Sequence, residues 1–261
     1  MSTGVTKPAT MNLWKLEVLR LVRTKRWIAL LAVYVFFGLL GPVTARYMEN
    51  ILGLAGGELE GAIINFPDPT PVDGMIQYVS NAGQIGTLVA MVVAAGALAF
   101  DAIPEMGVFL RTRVPSVWRI LLPRLVVPFA AASLAFTLGA LAAWYETWAL
   151  LGPLAAGDVL PGIAYGIVFL AFVVALVAAI AQVSRSVLGT VMTSVVILLV
   201  MPLLGLIDAI ARWMPTSLLN ALAEIPAGNP ASDYVGATVV ALVASAGLVV
   251  VAVRAAGRRL S

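Results

Sequence analysis

The chain has no cysteine and no histidine in 261 residues. The first absence removes disulfide frameworks and thiolate sites, and the second removes the usual haem and zinc ligand. Much redox chemistry is thereby disfavoured. Charge is scarce as well: Asp, Glu, Lys and Arg fill 11% of positions, against about a quarter in a soluble domain. No Gly-rich lysine loop, GxSxG elbow or HExxH pair occurs, so the energy for any work this protein does must come from elsewhere. What fills the chain is hydrocarbon, with 61% of residues apolar. That is the composition of an integral membrane protein.

Six stretches have the roughly 20 apolar residues needed to cross a bilayer, at 27–45, 83–101, 121–145, 160–183, 187–207 and 235–255. The expected fold is an all-α integral membrane protein, six transmembrane helices preceded by an N-terminal amphipathic interfacial helix. Pro202 falls inside the fifth span, where neighbouring helices can re-satisfy the freed carbonyl. The basic N-terminal stretch leads into the first span with no small-residue cleavage site, so that span is expected to be retained. Residues 1–10 read as a disordered polar tail, and 11–261 as one transmembrane domain. Over 11–26 the spacing places Trp14, Val18, Leu21 and Val22 on one helical face and Lys15, Arg20, Arg23 and Arg26 on the other. Such a helix lies in the bilayer interface with its cations at lipid phosphates.

Basic residues set the expected orientation. Lys7, Lys15, Arg20, Arg23, Lys25, Arg26, Arg111, Arg113, Arg119, Arg124, Arg185, Arg254, Arg258 and Arg259 fall on one side, and Arg46 and Arg212 on the other. Glu49, Glu58, Glu60, Asp68, Asp73, Glu146, Asp158, Asp208, Glu224 and Asp233 gather on the basic-poor side. The expectation is a multi-pass protein of the plasma (inner) membrane with both termini cytoplasmic. Asp101, Glu146, Arg185 and Asp208 sit at span ends, so no charge advertises an ion relay at the midplane. Gly96-Ala97, Gly139-Ala140 and the small-residue run at 241–247 allow close helix packing or dimerisation.

Two loops stand out. The external loop at 46–82 is broken by glycines and by Phe66-Pro67-Asp68-Pro69-Thr70-Pro71. The external hairpin at 208–230 contains two short amphipathic helices, with Trp213 and Pro215 between them and Thr216 or Ser217 as the second N-cap. Both a hairpin dipping into the outer leaflet and one lying flat on it remain open.

The cytoplasmic loop at 101–120 is short, charged and set between apolar spans. Its order is Glu105-Met106-Gly107, an apolar run Val108-Phe109-Leu110, the cations Arg111 and Arg113, then Pro115-Ser116. Phe109 and Leu110 can seat in an apolar groove while Arg111 and Arg113 pair with carboxylates on its rim. This pattern resembles the coupling helix of ABC-2 type transporter membrane subunits, with Glu105, Gly107 and Pro115-Ser116 as the matching positions. It departs from the family at Val108, where Thr commonly follows the glycine, and at Pro123-Arg124, where Gly-Lys is usual. The N-terminal elbow helix (Trp14, Arg20, Arg23, Arg26), the six spans and the external hairpin (Trp213, Pro215) extend the resemblance over most of the chain.

The resemblance implies a permease subunit that is not itself an enzyme. Two ABC ATPase subunits would be its partners and hold the ATP-Mg, and a second copy or a paralogous permease would complete the complex in the lipid bilayer. No nucleic acid and no bound metal or cofactor are expected. The cargo would be exported and hydrophobic or amphipathic. The alternatives from the residues are a membrane-embedded lipid-modifying enzyme, with Asp101 and Glu105 its nearest carboxylates, and an ion-coupled secondary transporter.

Overall fold

A computed structural model of the chain describes residues 12–55, 68–99, 116–184, 186–205 and 208–258. Helix α1 (Leu13–Arg23) starts where the Asn12 side chain accepts a hydrogen bond from the Lys15 amide at 3.2 Å. It ends at Thr24, whose amide and hydroxyl both donate to the Arg20 carbonyl. Lys25 then takes a left-handed conformation (φ 55°), a rare one for a side-chain-bearing residue. This single residue turns the chain from α1 into α2 (Arg26–Arg46). The basic stretch expected as one helix over 11–26 is therefore α1, a two-residue turn and the first residue of α2.

Helix α3 (Met48–Ala55) follows, and then α4 (Pro71–Asn81), a π-helical segment (Ala82–Gly86) and α5 (Thr87–Leu98) run on as one unit. The helical unit that contains the expected span at 83–101 thus begins earlier, at Pro71. Asp73, Gln77 and Asn81 lower the local hydropathy, but Thr70 precedes a proline at the first helical position and its amide and hydroxyl donate to the Asp73 carboxylate, each at 2.7 Å. That is a helix start. At the segment's far end the Thr87 hydroxyl donates to the Ala82 carbonyl, five residues back.

Helix α6 (Val117–Leu150) has 34 residues and a length of about 51 Å, well beyond a hydrocarbon core. Its first turn takes in residues 117–120, expected as loop. The rest are α7 (Ala156–Ser184), α8 (Val187–Leu204), α9 (Asp208–Ala211), α10 (Ser217–Glu224), a 3-10 turn (Ala231–Tyr234) and α11 (Val235–Arg258). Among the described residues, five helical units are long and apolar enough to cross a membrane: Arg26–Arg46, Pro71–Leu98, Val117–Leu150, Ala156–Ser184 and Ala231–Arg258. Helix α8 is apolar over a shorter length. Among the described residues there is no strand.

Small residues hold the bundle together. A Cβ on Gly38 of α2 would fall onto the Gly139 carbonyl of α6, and one on Gly41 would come within 2.9 Å of the Tyr78 amide of α4. At these two points the backbone of α2 meets those of α6 and α4 directly, the packing mode that dispersion favours in lipid. Tyr34, Tyr78 and Phe136 fill the centre of this three-helix contact, and the Tyr78 hydroxyl donates to the Phe136 carbonyl at 3.0 Å. Helix α7 is the hub, packing against α5, α6, α8, α10 and α11. Buried positions make up 67% of its most apolar window, against 17% for α11 at the rim. Outward-facing Phe36, Leu134, Leu188, Leu199 and Val243 stay exposed, which is the surface a bilayer covers.

Candidate functional site

Glu17 lies mid-helix in α1, on the face that also carries Arg20 and Leu21 and that turns toward the bundle. Its carboxylate meets the Arg124 guanidinium of α6 at 3.0 Å, with both side chains under one-tenth exposed. Its second oxygen lies 3.7 Å from Arg20, one helical turn on. Arg20 in turn donates to the Gly96 carbonyl of α5 at 2.5 Å. Arg26, at the start of α2, packs its guanidinium where a Cβ on Gly96 would stand, so a side chain there would have to displace the guanidinium. Four helices converge on one ionic cluster. Its composition is physically determined: a buried carboxylate persists when opposite charges meet it at hydrogen-bond distance.

The exposed side of α1 carries Trp14, Val18, Leu19 and Val22, with Arg23 alongside. Arg20 and Arg26 turn inward from the elbow-helix set and join the cluster, while Trp14 and Arg23 face outward. Leu21, expected beside Trp14, packs against the core. Sequence reasoning passed over Glu17, although it is the lone acidic residue among the first 26. An isolated carboxylate amid cations, at i, i+3 from an arginine and on the way into an apolar span, was the available signal.

The opposite end of the bundle holds the hairpin. Helix α10 is a plug: Leu218, Ala221 and Leu222 are fully buried, and it packs against α4 and α7. A Cβ on Gly162 of α7 would come within 2.5 Å of the Leu222 Cα. Pro215 is buried at its start, and Trp213 lies over Gly236 in the first turn of α11. The Tyr234 hydroxyl donates to the Glu224 carboxylate, and the Tyr165 hydroxyl donates to the Ala231 carbonyl at 2.7 Å. Thr216 occupies the N-cap position without a side-chain bond, and the Ser217 hydroxyl instead donates to the Met214 carbonyl.

Glu105, Gly107, Val108, Phe109, Leu110, Arg111, Arg113 and Pro115 lie outside the described residues. The ionic cluster flanks that segment: Gly96 is near the end of α5, and Arg124 is two turns into α6. Among the described residues no group of three His, Cys, Asp or Glu side chains gathers as a metal site would require. Comparison with protein-family models, curated proteins and solved structures found no match to this chain.

Proposed function

We propose that the chain is the membrane-spanning subunit of an ATP-driven exporter of the ABC-2 kind, worked by two separate ATPase chains and paired with a second permease. The observation that supports this reading is the position of the ionic cluster. The segment at 100–116 leaves α5 just beyond Gly96 and returns in α6 ahead of Arg124, and both helices are tied to α1 through Arg20 and Glu17. A push on that segment is delivered to α5, α6 and α1 together. Helix α6 continues without interruption to Thr147, whose hydroxyl lies where a Cβ on Gly74 of α4 would stand. Displacement at one end is thus carried to the other through packed helices. The apolar surfaces suit a hydrophobic or amphipathic cargo, and the basic side of the chain would face the cytoplasm, where the ATPases work.

The test is co-expression with candidate ATPase chains, followed by co-purification and ATP-driven transport in vesicles. Phe109→Asp with Leu110→Asp is expected to abolish both while leaving membrane insertion intact. Unchanged co-purification and unchanged transport in that variant would overturn the assignment.

A further inference from the structure

The ionic cluster opens on one side into a crevice between α1, the start of α2, the end of α5 and α6. About 250 Å³ of space lies within it, open solvent included, with room for about one water molecule among the lining side chains. Arg20, Arg26 and Glu17 line it, and Arg124 lies behind Glu17. Among the described residues Glu17 is the carboxylate at this cluster, and it is held by Arg124 and Arg20. Among the described residues no carboxylate lies within ion-pair distance of Arg26. Among the described residues that line it, Arg20 and Arg26 outnumber Glu17, so its open side carries more positive than negative charge. Thr24 borders it as well, and the rest of its wall is apolar, built by Leu21, Val93, Ala97, Val127 and Pro128.

We propose that this crevice binds the phosphate of an anionic phospholipid. A phosphate presents several oxygens to the planar guanidinium fork, which holds it in two parallel hydrogen bonds. One oxygen takes the water-sized space, and the others face Arg20 and Arg26. The apolar wall takes the glycerol and upper acyl carbons, which free phosphate lacks. The apolar side chains α1 exposes, Trp14, Val18 and Val22, place the helix at headgroup depth. Basic pockets between transmembrane helices have this chemistry. The inference does not depend on the exporter reading.

The test uses the full chain in detergent, analysed by native mass spectrometry with added phosphatidylglycerol, phosphatidylcholine or inorganic phosphate. Arg26→Gln is the informative variant, because no ion pair or hydrogen bond within the fold depends on that side chain among the described residues. Arg23→Gln, on the exposed side of α1, removes the same charge outside the crevice. Phosphatidylglycerol is expected to be retained over phosphatidylcholine, with Arg26→Gln lowering retention about fivefold and Arg23→Gln leaving it near wild type. Equal loss in both variants would mean diffuse surface charge and overturn the site. Equal retention of the two lipids would overturn it as well. Binding of inorganic phosphate as tight as that of phosphatidylglycerol would overturn the lipid as occupant.

Discussion

Replacing Glu17 by leucine tests whether the ionic cluster holds α1 to the bundle. The carboxylate is shared between Arg124 at 3.0 Å and Arg20 at 3.7 Å. Removing it takes from the buried Arg124 guanidinium the carboxylate it meets at 3.0 Å. Breaking a buried pair on one side costs about 3–5 kcal/mol. The lower end applies here, about 3 kcal/mol, because Arg20 is 38% exposed and water screens its share. That is a large part of a typical domain's 5–15 kcal/mol. Glu17→Leu with Arg124→Leu should recover most of the loss, since two apolar side chains replace a pair whose desolvation nearly cancelled its attraction. Equilibrium unfolding in mixed micelles gives the global term. Trypsin cleavage after Lys25, in the strained turn, reports whether α1 has come loose. The reasoning fails if Glu17→Leu costs under about 1 kcal/mol, or if the double variant is as unstable as the two single losses added together.

Gly139→Val should separate α2 from α6, because a Cβ there would meet the Tyr34 backbone; a destabilisation of about 3 kcal/mol or more is expected from this overpacking, read by thermal unfolding in detergent. Gly162→Ala and Gly157→Ala form a matched pair on α7. The first meets Leu222 of the plug and should destabilise, whereas nothing stands within 4 Å of the second, which should gain about 0.5–1 kcal/mol from helix propensity; equal effects would contradict the packing. Asp73→Ala removes both bonds to Thr70 and should cost about 1 kcal/mol, with faster amide exchange confined to the start of α4.

Hydropathy located the long apolar runs because lipid contact requires them, and α2, α6, α7 and α11 lie close to where the apolar stretches predict. It does not reveal that the helix around the second stretch starts at Pro71, since Asp73, Gln77 and Asn81 are polar residues that the helix accommodates at its end. The glycines at 38, 41, 139 and 162 are visible as letters, but their partners are not. Which backbone approaches which glycine depends on contacts far apart in sequence. The same holds for Glu17: helical spacing puts Arg20 next to it, while Arg124 is 107 positions away and no local pattern joins them. The plug was legible as two short amphipathic helices. That protein, rather than lipid, covers its apolar face follows only from Gly162 making room for Leu222.

The π-helical segment at Ala82–Gly86 acts as a phase setter. Wound with more residues per turn than its neighbours, it fixes the azimuth of α5 relative to α4. Winding the same five residues as a regular α-helix would rotate everything beyond it by about 100°. Tyr78 would keep its place against Phe136, but Gly96 would swing out from beneath Arg20 and Arg26. The plug end and the ionic end of the molecule are thus kept in step by one additional residue in the middle of a span.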